Sequence, residues 1–275
     1  MKLGFLSAVL KQNSFEEVID KASELGFKCV EMSCWPKRKP EDKRYGVTHI
    51  NIDELDDEKI KYIKEYCNDK GVEISSLAYY PNNMDGDLDI RSENINHLKK
   101  LIVASSKLGV NMVTTFIGRD QRKSVEENIE IFKEVWPPII KFAEEYKVKI
   151  AIENCPMLHE EYQWPGGLNL ATTPNIWRKL FSIIDSDYFG LNYDPSHLVW
   201  QRIDYIKPIY EFKNKIFHVH LKDTKIDEDK LNDVGIMSYC YEYMLPKLPG
   251  LGNINWGKYI SALTDIGYDS FYVLK

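Results

Sequence analysis

Nowhere in the 275-residue chain does an apolar run approach the ~18–20 residues that a membrane-spanning helix requires, so no membrane partner is expected. The opening Met1-Lys2-Leu3-Gly4-Phe5-Leu6 reads as a strand and lacks the length and small-residue cleavage pattern of a secretory signal, so a cytoplasmic location is expected. Cysteine is sparse. The five cysteines, at 29, 34, 67, 155 and 240, are odd in number and never spaced Cys-x-x-Cys, which argues against a disulfide framework or a cysteine zinc site. A basic excess is also missing: 36 Lys+Arg stand against 42 Asp+Glu, a net charge of −6, and a dedicated nucleic-acid binder needs the opposite balance. No Pro/Gly/Ser-rich linker or shift in composition marks a boundary, so residues 1–275 read as one domain.

What is present is a regular alternation. Short apolar, β-branched runs at 2–6, 29–32, 73–77, 112–116, 149–152, 189–193, 216–220 and 271–274 read as strands. Amphipathic stretches lie between them. Ser14 followed by Glu17 reads as a capping box opening a helix that closes at Gly26. Helices over 56–69 and 92–108 close similarly at Gly71 and Gly109, and further helices are expected over 124–146, 174–184 and 256–266. Pro137-Pro138 is expected to kink or divide the fourth of these. Strands joined through helices pair in parallel, and eight of them close a barrel. No G-x-G-x-x-G follows the first strand, which disfavours a doubly wound sheet. The expected architecture is a single (β/α)8 TIM barrel.

A barrel places its chemistry at the C-terminal ends of the strands. There the second strand runs through Glu31-Met32-Ser33-Cys34-Trp35, the third into Tyr79-Tyr80-Pro81-Asn82 and the fourth into Thr114-Thr115. The fifth ends in Glu153-Asn154, the sixth in Asp194-Pro195-Ser196-His197 and the seventh in His218-Val219-His220-Leu221-Lys222-Asp223. Each residue has an ordinary alternative. Glu153 could pair with a lysine, Asp194 could initiate a turn before proline, and His197 could be a hydrogen-bonded core histidine. His218 and His220 share one face of their strand, and outward they would meet an apolar helix layer. Inward, His220 is the one nearer the strand end and placed to ligate a metal, with His218 a supporting residue one layer deeper. Carboxylates and imidazole at three consecutive strand ends suit a catalytic divalent ion, Mn, Mg, Co or Zn, acting as a Lewis acid. Tyr80, Trp35 and Trp164 could offer aromatic faces to a sugar or simply pack. Lys222 and Asp223 could bind substrate oxygens, and Lys37-Arg38-Lys39 reads as a solvated loop.

Three segments, Ile152-Glu153-Asn154-Cys155-Pro156-Met157, Asn192-Tyr193-Asp194-Pro195-Ser196-His197 and His218-Val219-His220-Leu221-Lys222-Asp223, resemble the sugar phosphate isomerase/epimerase family of xylose-isomerase-like barrels. Pro249-Gly250-Leu251-Gly252-Asn253-Ile254-Asn255-Trp256 resembles that family's glycine-rich segment, and Ile266-Gly267-Tyr268-Asp269 its lead into the last strand. The resemblance implies a divalent metal held by Glu153, Asp194, His220 and a glutamate on the eighth strand, with Glu153 moving a proton and His197 contacting substrate. It further implies a small carbohydrate or polyol substrate, a cis-enediolate route and possible homo-oligomers. The chain departs from the family at one point: the eighth-strand glutamate aligns with Lys275. A lysine is no carboxylate ligand, and its charge repels a cation.

The leading expectation is therefore a metal-dependent sugar isomerase or epimerase. An inosose-type dehydratase uses the same barrel and ligands, and Lys275 motivates a catalytically impaired sugar-binding relative. An abasic-site endonuclease-like activity fits least. That branch of the superfamily needs histidines on the third and fourth strands, where this chain has Tyr79-Tyr80 and Thr114-Thr115. The remaining histidines, His49, His97 and His159, fall elsewhere.

Overall fold

In the computed structural model, which describes residues 1–37, 46–158 and 160–275, all eight expected strands form. They are β1 (Lys2–Leu6), β2 (Cys29–Ser33), β3 (Glu73–Ala78), β4 (Met112–Thr115), β5 (Lys149–Glu153), β6 (Phe189–Tyr193), β7 (Ile216–Leu221) and β10 (Phe271–Leu274). Each pairs in parallel with its neighbours, in the order β1-β10-β7-β6-β5-β4-β3-β2, and the sheet closes on itself. The result is the (β/α)8 barrel. Arg38, Lys39 and His159 lie outside the described residues.

Local signals position the principal helices α1 (Phe15–Glu24), α2 (Asp57–Lys70), α3 (Leu88–Leu108), α4 (Val125–Glu145) and α5 (Pro174–Ile183). The Ser14 hydroxyl accepts from Glu17 N at 3.2 Å while the Glu17 carboxylate accepts from Ser14 N at 2.8 Å, so the capping box is complete. Gly71 and Gly109 end α2 and α3 in the left-handed conformation, at φ 63° and 75°. Two expectations need correction. Helix α3 begins at Leu88 rather than at residue 92, because the Asp87 carboxylate caps it by accepting from Asp89 N and Ile90 N. Helix α4 runs undivided through Pro137-Pro138. The two prolines remove two N–H donors, but Phe132, Trp136, Ile139 and Ile140 bury the inner face on both sides of them. The Trp136 indole also donates to Ile117 O at 3.2 Å. Burial of that stripe outweighs the lost hydrogen bonds.

After β6 come two short helices, α6 (Ser196–Val199) and α7 (Lys207–Glu211). After β7 the chain makes an unforeseen antiparallel ribbon of β8 (Asp223–Ile226) and β9 (Met244–Lys247), with α8 (Glu228–Val234) between its strands. Helix α9 (Trp256–Asp265) then returns it to β10. Inside the barrel, Met112, Ala151 and Phe217 close the N-terminal end with an apolar plug. Polar side chains occupy the layers toward the opposite end.

Candidate active site

Glu31 is fully buried on β2, immediately after a register shift in the β2–β3 pairing. Such an irregularity re-aims a side chain, and here it sends a carboxylate into the barrel. The Glu31 carboxylate accepts from His220 Nε2 at 2.6 Å, from Thr114 Oγ1 at 2.7 Å and from the Tyr80 hydroxyl. Asn192 Nδ2 donates to Tyr80 Oη at 3.0 Å, so its Oδ1 is an acceptor and takes the His218 Nδ1 proton at 2.9 Å. His218 Nε2 is left to accept from Ser75 Oγ at 3.1 Å. Asn192 Nδ2 also lies 3.1 Å from His220 Nε2, so this amide touches Tyr80 and both histidines. Because a carboxylate only accepts, His220 carries a proton on Nε2, and Nδ1 is the nitrogen facing the strand ends. Burial favours neutral His218, lowering its pKa to about 4. Burial also opposes charge on Glu31, but His220 and the hydrogen bonds outweigh it and hold the carboxyl at about 2.

At the strand ends above this network, Glu153 of β5, Asp194 after β6 and His220 of β7 each bring a ligating atom within 4.8 Å of the others. All three are fully buried. Asn154 fixes Asp194 through its backbone, Nδ2 donating to Asp194 O at 2.9 Å and Oδ1 accepting from Asp194 N at 2.8 Å. Asp194 Oδ1 accepts from Ser196 N and Oγ, while Oδ2 has no partner. Glu153 Oε2 also lacks a hydrogen-bond partner, and His220 Nδ1 has only the ion-pair contact with Glu153 Oε1 at 3.3 Å. Unpaired buried polar atoms are costly, and on three side chains with ligand atoms this close they form a donor set that fits a divalent cation. His197 reaches the same point from α6, its unpartnered Nε2 lying 3.4 Å from Asp194 Oδ2 and 3.8 Å from Glu153 Oε1. Burial lowers the His197 pKa to about 3 despite Asp194, so this imidazole is neutral.

Lys275, at the end of β10, donates to Glu153 Oε1, with its Nζ 5.4 Å from the centre of the Tyr80 ring. Burial disfavours the ammonium, yet the carboxylate beside it keeps the Lys275 pKa above the ordinary lysine range. The same pairing, with His220, holds Glu153 well below the usual carboxylate range although burial acts the other way. Burial also opposes charge on His220, but Glu31 and Glu153 on either side raise its pKa to about 9.

The structure thus brings Glu153, Asp194, His197, His220 and Tyr80 to one end of the barrel. Trp164 lies in the connection from β5 to β6, its indole donating to Met237 O at 3.0 Å and its ring 5.8 Å from that of Trp200. With Pro156, Thr172, Gln201 and Tyr243 these rings line a cavity of about 230 Å³. Trp35 packs edge-on to Tyr79 within the core. Lys222 is half-buried. Asp223 accepts from the backbone N–H groups of Gly250, Gly252, Ile254 and Thr224 and from the Trp256 indole, which leaves no acceptor for the substrate contact expected of it. Sequence reasoning passed over Glu31, Asn154 and Asn192 as site residues. A charge interrupting an otherwise apolar parallel strand, as in Cys29-Val30-Glu31-Met32, is the signal that marks Glu31.

Residues 19–275 match the xylose isomerase-like TIM barrel family, and the chain belongs to it. An inosose dehydratase from Clostridium tetani is 22% identical over 268 residues, 96% of this chain and 82% of that protein. The structure of D-psicose 3-epimerase from Clostridium cellulolyticum H10, solved with D-tagatose, superposes with a TM-score of 0.71 at 20% identity, covering 100% of this chain and 84% of that one. The IOLI protein, solved with a bound zinc atom, gives 0.71 at 22% identity, covering 100% and 88%. Among the described residues no helix is long and apolar enough to cross a membrane.

Proposed function

We propose that this chain moves a proton at the carbon beside the carbonyl of a small carbohydrate or polyol, as a divalent-metal-dependent isomerase or epimerase working through a cis-enediolate. The observation that carries this reading is that buried Glu153, Asp194 and His220 bring ligand atoms within 4.8 Å of one another beside His197, while Glu153 Oε2, Asp194 Oδ2 and His220 Nδ1 lack hydrogen-bond partners. Glu153, Asp194 and His220 would hold the ion, which when bound supplies Lewis-acid polarisation of the substrate carbonyl. The other tasks belong to side chains. Glu153 is the base that takes the proton from carbon. Neutral His197 binds a substrate hydroxyl through Nε2, and Tyr80 and Lys222 flank the sugar.

Stereochemistry favours isomerisation over epimerisation. A single base can carry a proton between adjacent carbons on one face, whereas inversion needs a second group on the other face. The residue aligned with the family's second carboxylate is Lys275. The test is proton exchange in heavy water over a panel of ketoses with Mn²⁺ supplied. Glu153→Gln should slow exchange by about 10²–10⁴-fold. Exchange unchanged in the variant would overturn the assignment.

A dehydratase is the second reading, favoured by the match to an inosose dehydratase over 96% of this chain. Elimination of water needs a base and an acid, and Glu153 and the Lys275 ammonium stand in contact. A product lighter by one water, read by mass spectrometry, selects it over isomerisation.

A further inference from the structure

Glu153 Oε1 is claimed from several directions. Lys275 Nζ donates to it, His220 Nδ1 lies 3.3 Å away and His197 Nε2 3.8 Å away. A divalent ion held by Glu153, Asp194 and His220 would draw on the same carboxylate, so ammonium and ion would compete for Glu153. We infer that Lys275 is a tethered counter-cation: it neutralises Glu153 while no divalent ion is bound, and it must release Glu153 for an ion to bind. This rests on the metal-dependent reading above.

The physical argument has two parts. A buried carboxylate without a partner is strongly unfavourable, and the fully buried Glu153 finds its partner in Lys275. Like charges a few ångströms apart in a partly buried site repel strongly, so an ammonium left on Glu153 would expel an arriving ion. The Lys275 side chain retains 20% of its surface, and its flexible four-carbon stem gives the ammonium a way out to water.

The inference predicts effects of opposite sign from one substitution. Lys275→Gln removes the competing charge and should bind Mn²⁺ at least about tenfold more tightly than the wild type, measured by calorimetry on chelator-stripped protein. The same stripped variant should melt at a lower temperature than the stripped wild type, because Glu153 has lost its counter-ion, and saturating Mn²⁺ should close that gap. A lysine that only packs would weaken both. Equal or looser Mn²⁺ binding by the variant overturns the inference and leaves the metal-dependent reading standing. No Mn²⁺ binding by either protein overturns both. A second measurement needs no variant. Reductive methylation of Lys275 in the wild type, followed by peptide mass spectrometry, should accelerate when Zn²⁺ is added, and an unchanged rate also overturns the inference.

Discussion

At the scale of single residues, Glu31 determines what His220 can do. The carboxylate accepts from Nε2 and so leaves Nδ1 as the nitrogen that faces Glu153 and Asp194, the one that would ligate an ion on giving up its proton. Partners of this kind behind a ligating histidine set its tautomer and orientation, and their loss typically lowers metal affinity about 10–100-fold. Glu31→Gln keeps the shape but can offer an amide N–H to Nε2, which would move the imidazole proton to Nδ1 and block ligation. The expected outcome is a fall of that size in Mn²⁺ affinity, with near-wild-type far-UV circular dichroism. Undiminished affinity would show that His220 is oriented by Asn192 and packing alone. Glu153, Asp194 and His220 were legible as strand-end residues because a parallel barrel fixes which end of each strand is polar. Glu31 was harder to read. Its pairing with His220 spans 189 residues, and a register shift that no sequence pattern announces aims it inward.

Among the elements, the glycine-rich segment before α9 shows how one buried carboxylate organises a loop. Asp223 gathers the N–H groups of residues 250, 252 and 254 and the Trp256 indole. The close fit demands glycine at 252, where a Cβ would lie 2.2 Å from Asp223 Oδ1. Asp223→Ala would leave these donors unpaired and should cost about 2–4 kcal/mol by denaturant unfolding. A change below experimental error would mean that water replaces the carboxylate. The alternation of strands and helices was readable because its signals are local: the capping box at Ser14 and the helix-ending glycines at 71 and 109. The β8–β9 ribbon and the continuity of α4 were not. The ribbon forms through pairs 18 to 24 residues apart, from Ile226–Met244 to Asp223–Lys247. Helix α4 persists because tertiary burial of Phe132, Trp136, Ile139 and Ile140 overrides a proline pair that local propensity reads as a break.

Over the whole molecule, fold and chemistry are separated along the barrel axis. The closed sheet and its surrounding helices bury one continuous apolar core, and the N-terminal end is plugged by Met112, Ala151 and Phe217. The candidate ligands lie at the other end, with Glu31 paired to His220, Glu153 paired to Lys275 and Asp194 bonded to Ser196. Each of these carboxylates has one oxygen partnered within the protein even though Glu153 Oε2 and Asp194 Oδ2 have none, so the barrel should fold without an ion. Chelation should accordingly leave the far-UV spectrum and cooperative unfolding intact. Binding still stabilises by mass action. Mn²⁺ at one hundred times its dissociation constant should add about 2.7 kcal/mol, which for a chain of this size corresponds to roughly 5–10 °C in Tm. Asp194→Asn keeps the acceptor for Ser196 but weakens the ligand, so it should retain the fold and lose most of that shift. Collapse of the wild type on chelation would make the ion structural. A full thermal shift in Asp194→Asn would place the ion elsewhere, away from the ends of β5, β6 and β7.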